Sequence, residues 1–207
     1  VSVLANLFYQ DDPEMVPSTP LPAVGTVYKA SYGKLDSDAY AGDEWNKFSK
    51  EVFMPSVTVN WDINDQLTFK HIMRYTDAEA QQRNMYNSGG FVEGSDTILN
   101  RVAYTTDESM NNWTTDNQLA YKFNTANTSH NLLFGVEYQE TDSSATYYDA
   151  GADGTPNLDL SNPDYSQINA DTLPLDAYRQ EEDIEQSQLG FYVQDEMKWK
   201  DWTVVAG

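Results

Sequence analysis

The chain has 207 residues, of which 33 are Asp or Glu and only 12 are Lys or Arg, so its formal net charge is −21. A surface this acidic repels phosphate backbones and excludes nucleic acid as a partner. No apolar run approaches the roughly 20 residues that a membrane-spanning helix needs. With 14 Tyr, 8 Phe and 5 Trp the chain is too aromatic for a disordered acidic segment, and with no Cys it has neither disulfides nor cysteine-based metal sites.

Apolar residues recur at every second position, which is the period of a β-strand with one apolar face. The pattern predicts strands at 57–63, 67–75, 117–123, 131–138 and 189–194, and further strands near Val1 and from Trp202. We expect one set of side chains to point outward: Val57, Val59, Trp61, Leu132, Phe134, Val136, Leu189, Phe191 and Val193. We expect a second set to face the opposite side: Gln118, Lys122, Glu137 and Gln194.

Connections of two lengths alternate along the chain. Short turns rich in Asn, Asp, Ser and Thr are predicted at 64–65, 124–129 and 200–201. Long connections are predicted at 10–50, 79–112 and 143–185. This alternation places every long connection at the same end of an all-β, antiparallel up-and-down meander. Such a meander is typical of a transmembrane β-barrel with short periplasmic turns and long extracellular loops, although a soluble β-sandwich also alternates.

No residue pattern of an enzyme or of a metal site stands out. His71 and His130 have no Cys or carboxylate at ligand spacing, and the GxSxG, HExxH and Walker motifs are absent. We therefore expect no enzyme, no catalytic residue and no metal ligand. Between Glu140 and Glu185 twelve acidic residues accompany a single base, Arg179. This composition fits either a solvated outer surface or a field that favours neutral or cationic ligands.

Aromatic residues in the predicted long connections either pack the loops together or line a binding vestibule. They are Tyr28, Tyr32, Tyr40, Trp45, Tyr86, Phe91, Tyr147, Tyr148, Tyr165 and Tyr178. The pattern alone does not separate these two roles.

Five stretches of sequence, collinear along the chain, carry a family resemblance. They are DDPE (11–14) with LPAVGTV (21–27), DNQLAYKFNT (116–125), HNLLFGVEY (130–138), NLDLSNPDY (157–165) and QLGFYVQDE (188–196). Together they resemble the TonB-dependent ferric-siderophore receptors, and within them the ferrichrome and ferrioxamine (hydroxamate) group. The resemblance implies that residues 1–207 supply about seven strands of a 22-stranded barrel, whose plug domain and C-terminal strands lie outside this sequence.

The resemblance also implies a function. Such receptors lie in the outer membrane of Gram-negative bacteria, in contact with its lipid, and import an iron(III)–siderophore chelate. The TonB–ExbB–ExbD complex supplies the energy and acts through an N-terminal region that is missing here. Iron is bound only through the siderophore, so no cofactor is expected. Two other classes stay open: a soluble carbohydrate-binding β module, and a structural outer-membrane barrel without transport.

Site residues carry over from the resemblance at three positions. Tyr86 matches an aromatic position in one ligand-contacting loop, and Tyr147 with Tyr148 matches an aromatic pair in another. The three tyrosines are therefore the predicted siderophore-binding residues. The stretch 15–20, where ferrichrome receptors carry ligand-contacting aromatics, has none here. This difference argues against ferrichrome itself as the ligand.

Overall fold

The computed structural model describes residues 1–207, and most of them belong to one β-sheet. The strands are β1 (Ser2–Met15), β2 (Lys47–Asp62), β3 (Leu67–Phe91), β4 (Ile98–Thr125), β5 (Thr128–Asp149), β6 (Leu158–Asp159), β7 (Tyr178–Trp199) and β8 (Trp202–Ala206). A single helical segment, α1 (Ala23–Thr26), spans four residues. No helical segment has the length and the apolar character needed to cross a membrane.

Each long strand pairs antiparallel with the next long strand of the chain. The order in the sheet is β1-β2-β3-β4-β5-β7-β8, and the short β6 adds to the outer end of β4. The predicted all-β up-and-down meander is therefore confirmed. In a Greek-key motif the fourth strand returns through a long connection to lie beside the first. The long strands of this sheet make no such connection.

Tight turns at one end of the sheet join β2 to β3, β4 to β5 and β7 to β8. The turn at Lys200 and Asp201 has the predicted length. In the β2–β3 turn, Oδ1 of Asn64 accepts the backbone N–H groups of Gln66 (2.9 Å) and Leu67 (3.0 Å). The β4–β5 turn is tighter than the predicted 124–129, because the backbone pairing continues to Thr125 and Thr128.

The connections at the other end, which we call the outer end, are shorter than predicted. The long connection expected at 79–112 is wrong: β3 and β4 stay paired through most of it, and only 92–97 joins them. The other two shrink to loop 16–46 and loop 150–177. The prediction failed because β3 beyond Tyr75 and the part of β4 that faces it carry mostly polar side chains on both faces. The apolar alternation stops there, while the backbone hydrogen bonds continue.

The pairing register sorts the side chains onto two faces. Val59, Val136 and Phe191 share a row on what we call the apolar face, and the next row includes Trp61, Phe134 and Val193. Lys70, Gln118, Gly135 and Tyr192 share a row on the opposite, polar face. The two predicted sets of side chains therefore lie on opposite faces, as expected.

The apolar face has no protein core beneath it. Phe134 is 45% exposed, Phe191 is 67% exposed, and only 16 of the 207 residues are buried. A sandwich of this length would bury far more side chains between its two sheets. This face therefore needs an apolar environment outside the chain.

A small core lies at the outer end instead, where loops 16–46 and 150–177 pack on β3 and β4. One cluster is centred on Ala41, Leu99, Leu158 and Leu160, and another on Met85, Ala103 and Ala150. Arg101 is fully buried between the two loops. Its guanidinium donates to the carbonyl oxygens of Gly42 (2.7 Å) and Pro156 (3.0 Å) and to Oε1 of Gln167 (2.6 Å). Burial lowers the pKa of Arg101, and the nearby Asp43 carboxylate partly offsets this effect.

Candidate functional site

Four tyrosines from four strands meet near the outer end of the sheet and form what we call the tyrosine cluster. They are Tyr86 on β3, Tyr104 on β4, Tyr147 on β5 and Tyr178 on β7. Tyr104 stacks on Tyr147 with 5.5 Å between ring centroids and an interplanar angle of 21°. Tyr86 meets Tyr104 edge to face at 5.6 Å, and Tyr178 meets Tyr147 in the same way at 5.7 Å. The rings thus form one continuous aromatic surface across the sheet.

Strand alternation places the tyrosine cluster on the polar face. Residues separated by an even number of positions along a strand share a face. Tyr104 is separated in this way from Gln118 on β4, and Tyr147 from Glu137 on β5. The pairing of these two strands has no break in register. A tyrosine ring offers a flat apolar surface with one polar tip, and only two torsions are frozen when it binds. The cluster is therefore suited to stacking on a large ligand.

The hydroxyl group of Tyr147 stays protonated at neutral pH. Burial is the main reason that its pKa rises to about 12, and the Asp149 carboxylate adds to the shift. The two groups lie 3.4 Å apart, with the hydroxyl as donor. Tyr147 therefore keeps a hydrogen-bond donor beside its ring at any physiological pH.

Two of the three predicted site residues come together, and the third does not. Tyr86 and Tyr147 both belong to the tyrosine cluster. Tyr148 is one residue further along the strand and points to the apolar face, so the three predicted tyrosines do not share one face. There its hydroxyl donates to Glu181 (2.6 Å), and the Arg179 guanidinium lies over its ring at 5.1 Å. Consecutive strand residues face opposite sides, so a tyrosine pair in a strand cannot line one wall.

Sequence reasoning missed Tyr104. It lies in the segment 79–112, which was predicted to be a loop, so no face was assigned to it. Continuing the alternation backwards from Gln118 along β4 would have placed Tyr104 with the polar set. Tyr104 was missed because the sequence does not show how far β4 extends, and not because its residue type is unusual for a binding site.

Charges around the tyrosine cluster are mainly negative. On the polar face near the cluster, the pairing registers place Asp12, Glu108, Asp149 and Glu182, and Lys50 is the one base among them. The other bases at this level point to the opposite face: Lys47, Arg83 and Arg179. A wall with this charge favours neutral or cationic ligands and disfavours anions.

Further down the polar face, hydrogen-bonded side chains continue the lining. The hydroxyl of Tyr192 donates to the Asp116 carboxylate (2.9 and 3.1 Å), and Nε2 of Gln118 donates to the same carboxylate (2.7 Å). The ring of Tyr192 covers Gly135, where an added Cβ would overlap with it. The polar face is thus an ordered, hydrogen-bonded surface below the cluster.

No group of three or more His, Cys, Asp or Glu residues is arranged to hold a metal ion. Nδ1 of His71 lies 2.9 Å from Oδ1 of Asn117. His130 uses both ring nitrogens, with Asp195 at 2.7 Å and Thr125 at 2.8 Å. The two histidines are therefore engaged within the sheet.

Comparison with known families agrees with this geometry. Residues 4–207 match the model of the TonB-dependent receptor-like β-barrel family, and the chain belongs to this family. Its members lie in the outer membrane of Gram-negative bacteria, which gives this chain the same location. Outer-membrane β-barrels have an apolar band on their outward face and a polar interior, which matches the two faces of this sheet.

Several characterised receptors are similar in sequence. The ferrioxamine B receptor of Salmonella typhimurium is 29% identical over 95% of this chain. The ferrichrome outer membrane transporter/phage receptor of Escherichia coli is 27% identical over 97% of this chain. The chain spans 27% and 29% of the length of these two relatives.

Solved structures show the same fold. The closed form of the ferric-catecholate import receptor Fiu from Escherichia coli aligns with a TM-score of 0.74 and 19% identity, over 95% of this chain and 29% of that one. The ferric preacinetobactin receptor BauA from Acinetobacter baumannii aligns with a TM-score of 0.68 and 14% identity, over 96% of this chain and 29% of that one.

Proposed function

We propose that residues 1–207 form part of the wall of an outer-membrane receptor that binds an iron(III)–hydroxamate siderophore and imports it. The names of the sequence relatives, which include receptors for ferrioxamine and ferrichrome, support this class of ligand. The whole receptor also contains a plug domain and further barrel strands. Its import step takes energy from the TonB–ExbB–ExbD complex through the N-terminal region and involves no enzymatic reaction.

The observation that carries the proposal is the tyrosine cluster on the interior face of the barrel. Its rings stack on the apolar rim of the chelate, and its hydroxyls bond to the oxygens at the edge of the ligand. The chelate saturates iron with its own oxygens, so the protein reads the shape of the complex and supplies no metal ligand or cofactor. Tyr86, Tyr104 and Tyr147 make these contacts, and Tyr178 closes the edge of the surface.

The negative charges around the tyrosine cluster favour neutral and cationic ligands over anionic ones. Asp149, Glu108 and Glu182 lie on the same face as the cluster, whereas Arg83 and Arg179 lie on the opposite one. A ferric tris-catecholate complex is strongly anionic and is repelled by this wall. Neutral or cationic hydroxamate complexes, such as ferrioxamine-type chelates, are accepted.

Equilibrium titration of the purified whole receptor with iron-loaded ferrioxamine B tests the proposal. We expect Tyr147→Ala to weaken binding by about 1–2 kcal/mol, roughly tenfold, because a partly buried aromatic contact is lost. Tyr148→Ala is the matched control, since it removes a neighbouring tyrosine from the opposite face, and its affinity should equal that of the wild type.

Two results would overturn the proposal. If Tyr147→Ala and Tyr86→Ala both bind ferrioxamine B as tightly as the wild type, the site lies elsewhere. If the wild type binds a ferric catecholate more tightly than ferrioxamine B, the ligand class is wrong.

A further inference from the structure

Two buried amides connect the tyrosine cluster with loop 16–46. Asn46 is 6% exposed and directly precedes β2, and Asn84 is 5% exposed within β3. Oδ1 of Asn46 accepts the backbone N–H of Met85 (2.8 Å), and its Nδ2 donates to the Met85 carbonyl (3.0 Å). The Asn46 side chain thus makes the pair of hydrogen bonds that a neighbouring strand would make. This arrangement fixes Asn46 against β3.

The Asn46 amide nitrogen has more acceptors than hydrogens. Besides the Met85 carbonyl, its Nδ2 lies 2.7 Å from Oδ1 of Asn84 and 2.7 Å from the hydroxyl oxygen of Tyr40. An amide carries two N–H hydrogens, so three acceptors cannot all receive a full hydrogen bond at once. Asn84 and Tyr40 therefore compete for one hydrogen.

The two competitors belong to different parts of the molecule. Tyr40 lies in loop 16–46, and its hydroxyl donates to the carbonyl of Pro17 in the same loop (3.2 Å). Asn84 lies on the polar face, and its Nδ2 donates to the hydroxyl oxygen of Tyr104 (3.2 Å). The Asn46 hydrogen that Tyr40 and Asn84 share therefore connects Tyr40 with the tyrosine cluster.

We propose that Asn84 is a positioning residue for the tyrosine cluster and that, through Asn46, it couples ligand binding at Tyr104 to loop 16–46. The inference rests on the proposed function of the cluster. Asn84 fixes the Tyr104 hydroxyl as an acceptor, so that this hydroxyl aims its own hydrogen at the ligand.

The direction of the coupling follows from hydrogen-bond cooperativity. When the Tyr104 hydroxyl donates to a ligand oxygen, its oxygen becomes a better acceptor for Asn84. The Asn84 carbonyl is polarised in turn and attracts the shared hydrogen of Asn46 away from Tyr40. Ligand binding therefore loosens the contact between Asn46 and Tyr40. Because coupling between sites is reciprocal, weakening the Tyr40 contact strengthens ligand binding.

Two single substitutions in the whole receptor give opposite expected results with iron-loaded ferrioxamine B. Asn84→Ala should weaken binding by about 3–10-fold, as expected when one hydrogen bond that orders a ligand contact is lost. Tyr40→Phe removes the competing acceptor and should tighten binding by about twofold, the size of a modest change in one hydrogen bond. A merely structural role would make both variants weaker.

Further variants test the series of hydrogen bonds that joins Tyr104, Asn84, Asn46 and Tyr40, here called the relay. Tyr104→Phe removes only a hydroxyl group, so folding is preserved, and its effect should not add to that of Asn84→Ala in the double variant. Tyr40→Phe should have no effect in the Asn84→Ala background. Gln82→Ala is the matched control, because Gln82 is an amide on the same strand and face, two residues from Asn84, and lies outside the hydrogen-bonded relay.

Hydrogen–deuterium exchange supplies a second readout. In the wild type, adding iron-loaded ferrioxamine B should increase exchange around Tyr40, and this increase should vanish in Asn84→Ala.

The outcomes separate the relay from the proposed function. If Tyr147→Ala weakens binding but Asn84→Ala, Tyr104→Phe and Tyr40→Phe all bind as the wild type does, the relay is wrong and the binding site stands. If the wild type does not bind ferrioxamine B, both fail.

Discussion

The two halves of the long strands are held in place by different forces. In the half near the tight turns, here called the membrane half, β4 alternates Leu119, Tyr121 and Phe123 on the apolar face with polar residues on the other. In the outer half, the same strand carries polar side chains on both faces from Thr105 to Asn112, with Met110 as the one exception. The backbone ladder is continuous across both halves. Only the environment that stabilises them changes.

Burial makes this contrast concrete. Of the 16 buried residues, all except Gly135 lie in the outer half of the sheet or in loops 16–46 and 150–177. The apolar side chains of the membrane half therefore need a cover from outside the chain, whereas the loops of the outer half bury a small core. One sheet thus combines an exposed apolar face, as in membrane proteins, with a small buried core of the kind found in soluble proteins.

The largest expected effect comes from placing a charge on the lipid-facing side. Phe134→Arg should destabilise the receptor by about 2–4 kcal/mol, because an arginine near the bilayer midplane loses its hydration. Thr146→Arg, on the same strand and face but in the outer half, lies between Asp107 and Glu181 and should change stability by less than about 0.5 kcal/mol. Urea unfolding of receptor inserted in phospholipid bilayers measures both. Equal losses would show that the two halves share one environment.

A smaller effect is expected in the core of the outer half. Arg101→Met keeps a long apolar stem but leaves the carbonyls of Gly42 and Pro156 without their donor, which should cost about 2–3 kcal/mol. Because loops 16–46 and 150–177 meet there, both should become sensitive to protease while the barrel itself stays folded. Arg83→Met, an exposed position on β3, is the control. Unaltered proteolysis of Arg101→Met would contradict this account of the loop core.

The smallest of the three effects concerns the one buried residue of the membrane half. Gly135→Ala pushes a methyl group into the Tyr192 ring, breaks the bond to Asp116, and should destabilise by about 1–2 kcal/mol. Gly190→Ala is the matched control on the neighbouring strand, where the nearest atom to an added Cβ is 4.0 Å away. Comparing the unfolding midpoints of the two variants tests whether the position of the Tyr192 ring requires a glycine at 135. A Gly135→Ala protein as stable as Gly190→Ala would show that the ring moves freely.

The same contrast explains which parts of the fold could be predicted from the sequence. The membrane half was predictable because lipid on one side and a polar interior on the other impose a period of two on residues such as Leu132, Phe134 and Val136. The outer half was not, since mostly polar side chains on both faces leave no such period. The sequence of these strands therefore resembles that of loops, although their backbone pairing is as regular as in the membrane half.

The candidate site was predictable only in part for the same reason. Tyr86 and Tyr147 were found through family resemblance, which supplies positions but not the direction of each side chain. Placing Tyr148 on the opposite face and adding Tyr104 both required the strand register. The relay through Asn46 and Asn84 depends on contacts between distant segments, which no local pattern reveals.

The length of β4 determines which charges act at the tyrosine cluster. The strand has 28 residues, whereas about 9–11 suffice to cross the bilayer. From Trp113 near the end of the apolar alternation to Tyr104, nine residues at about 3.3 Å each and a tilt of about 40° place the cluster some 20 Å beyond the apolar part of the strand. The Debye length at physiological ionic strength is about 8 Å. At that height the phosphate charges of the membrane surface are screened, so the carboxylates of the chain itself set the electrostatic potential around the tyrosine cluster.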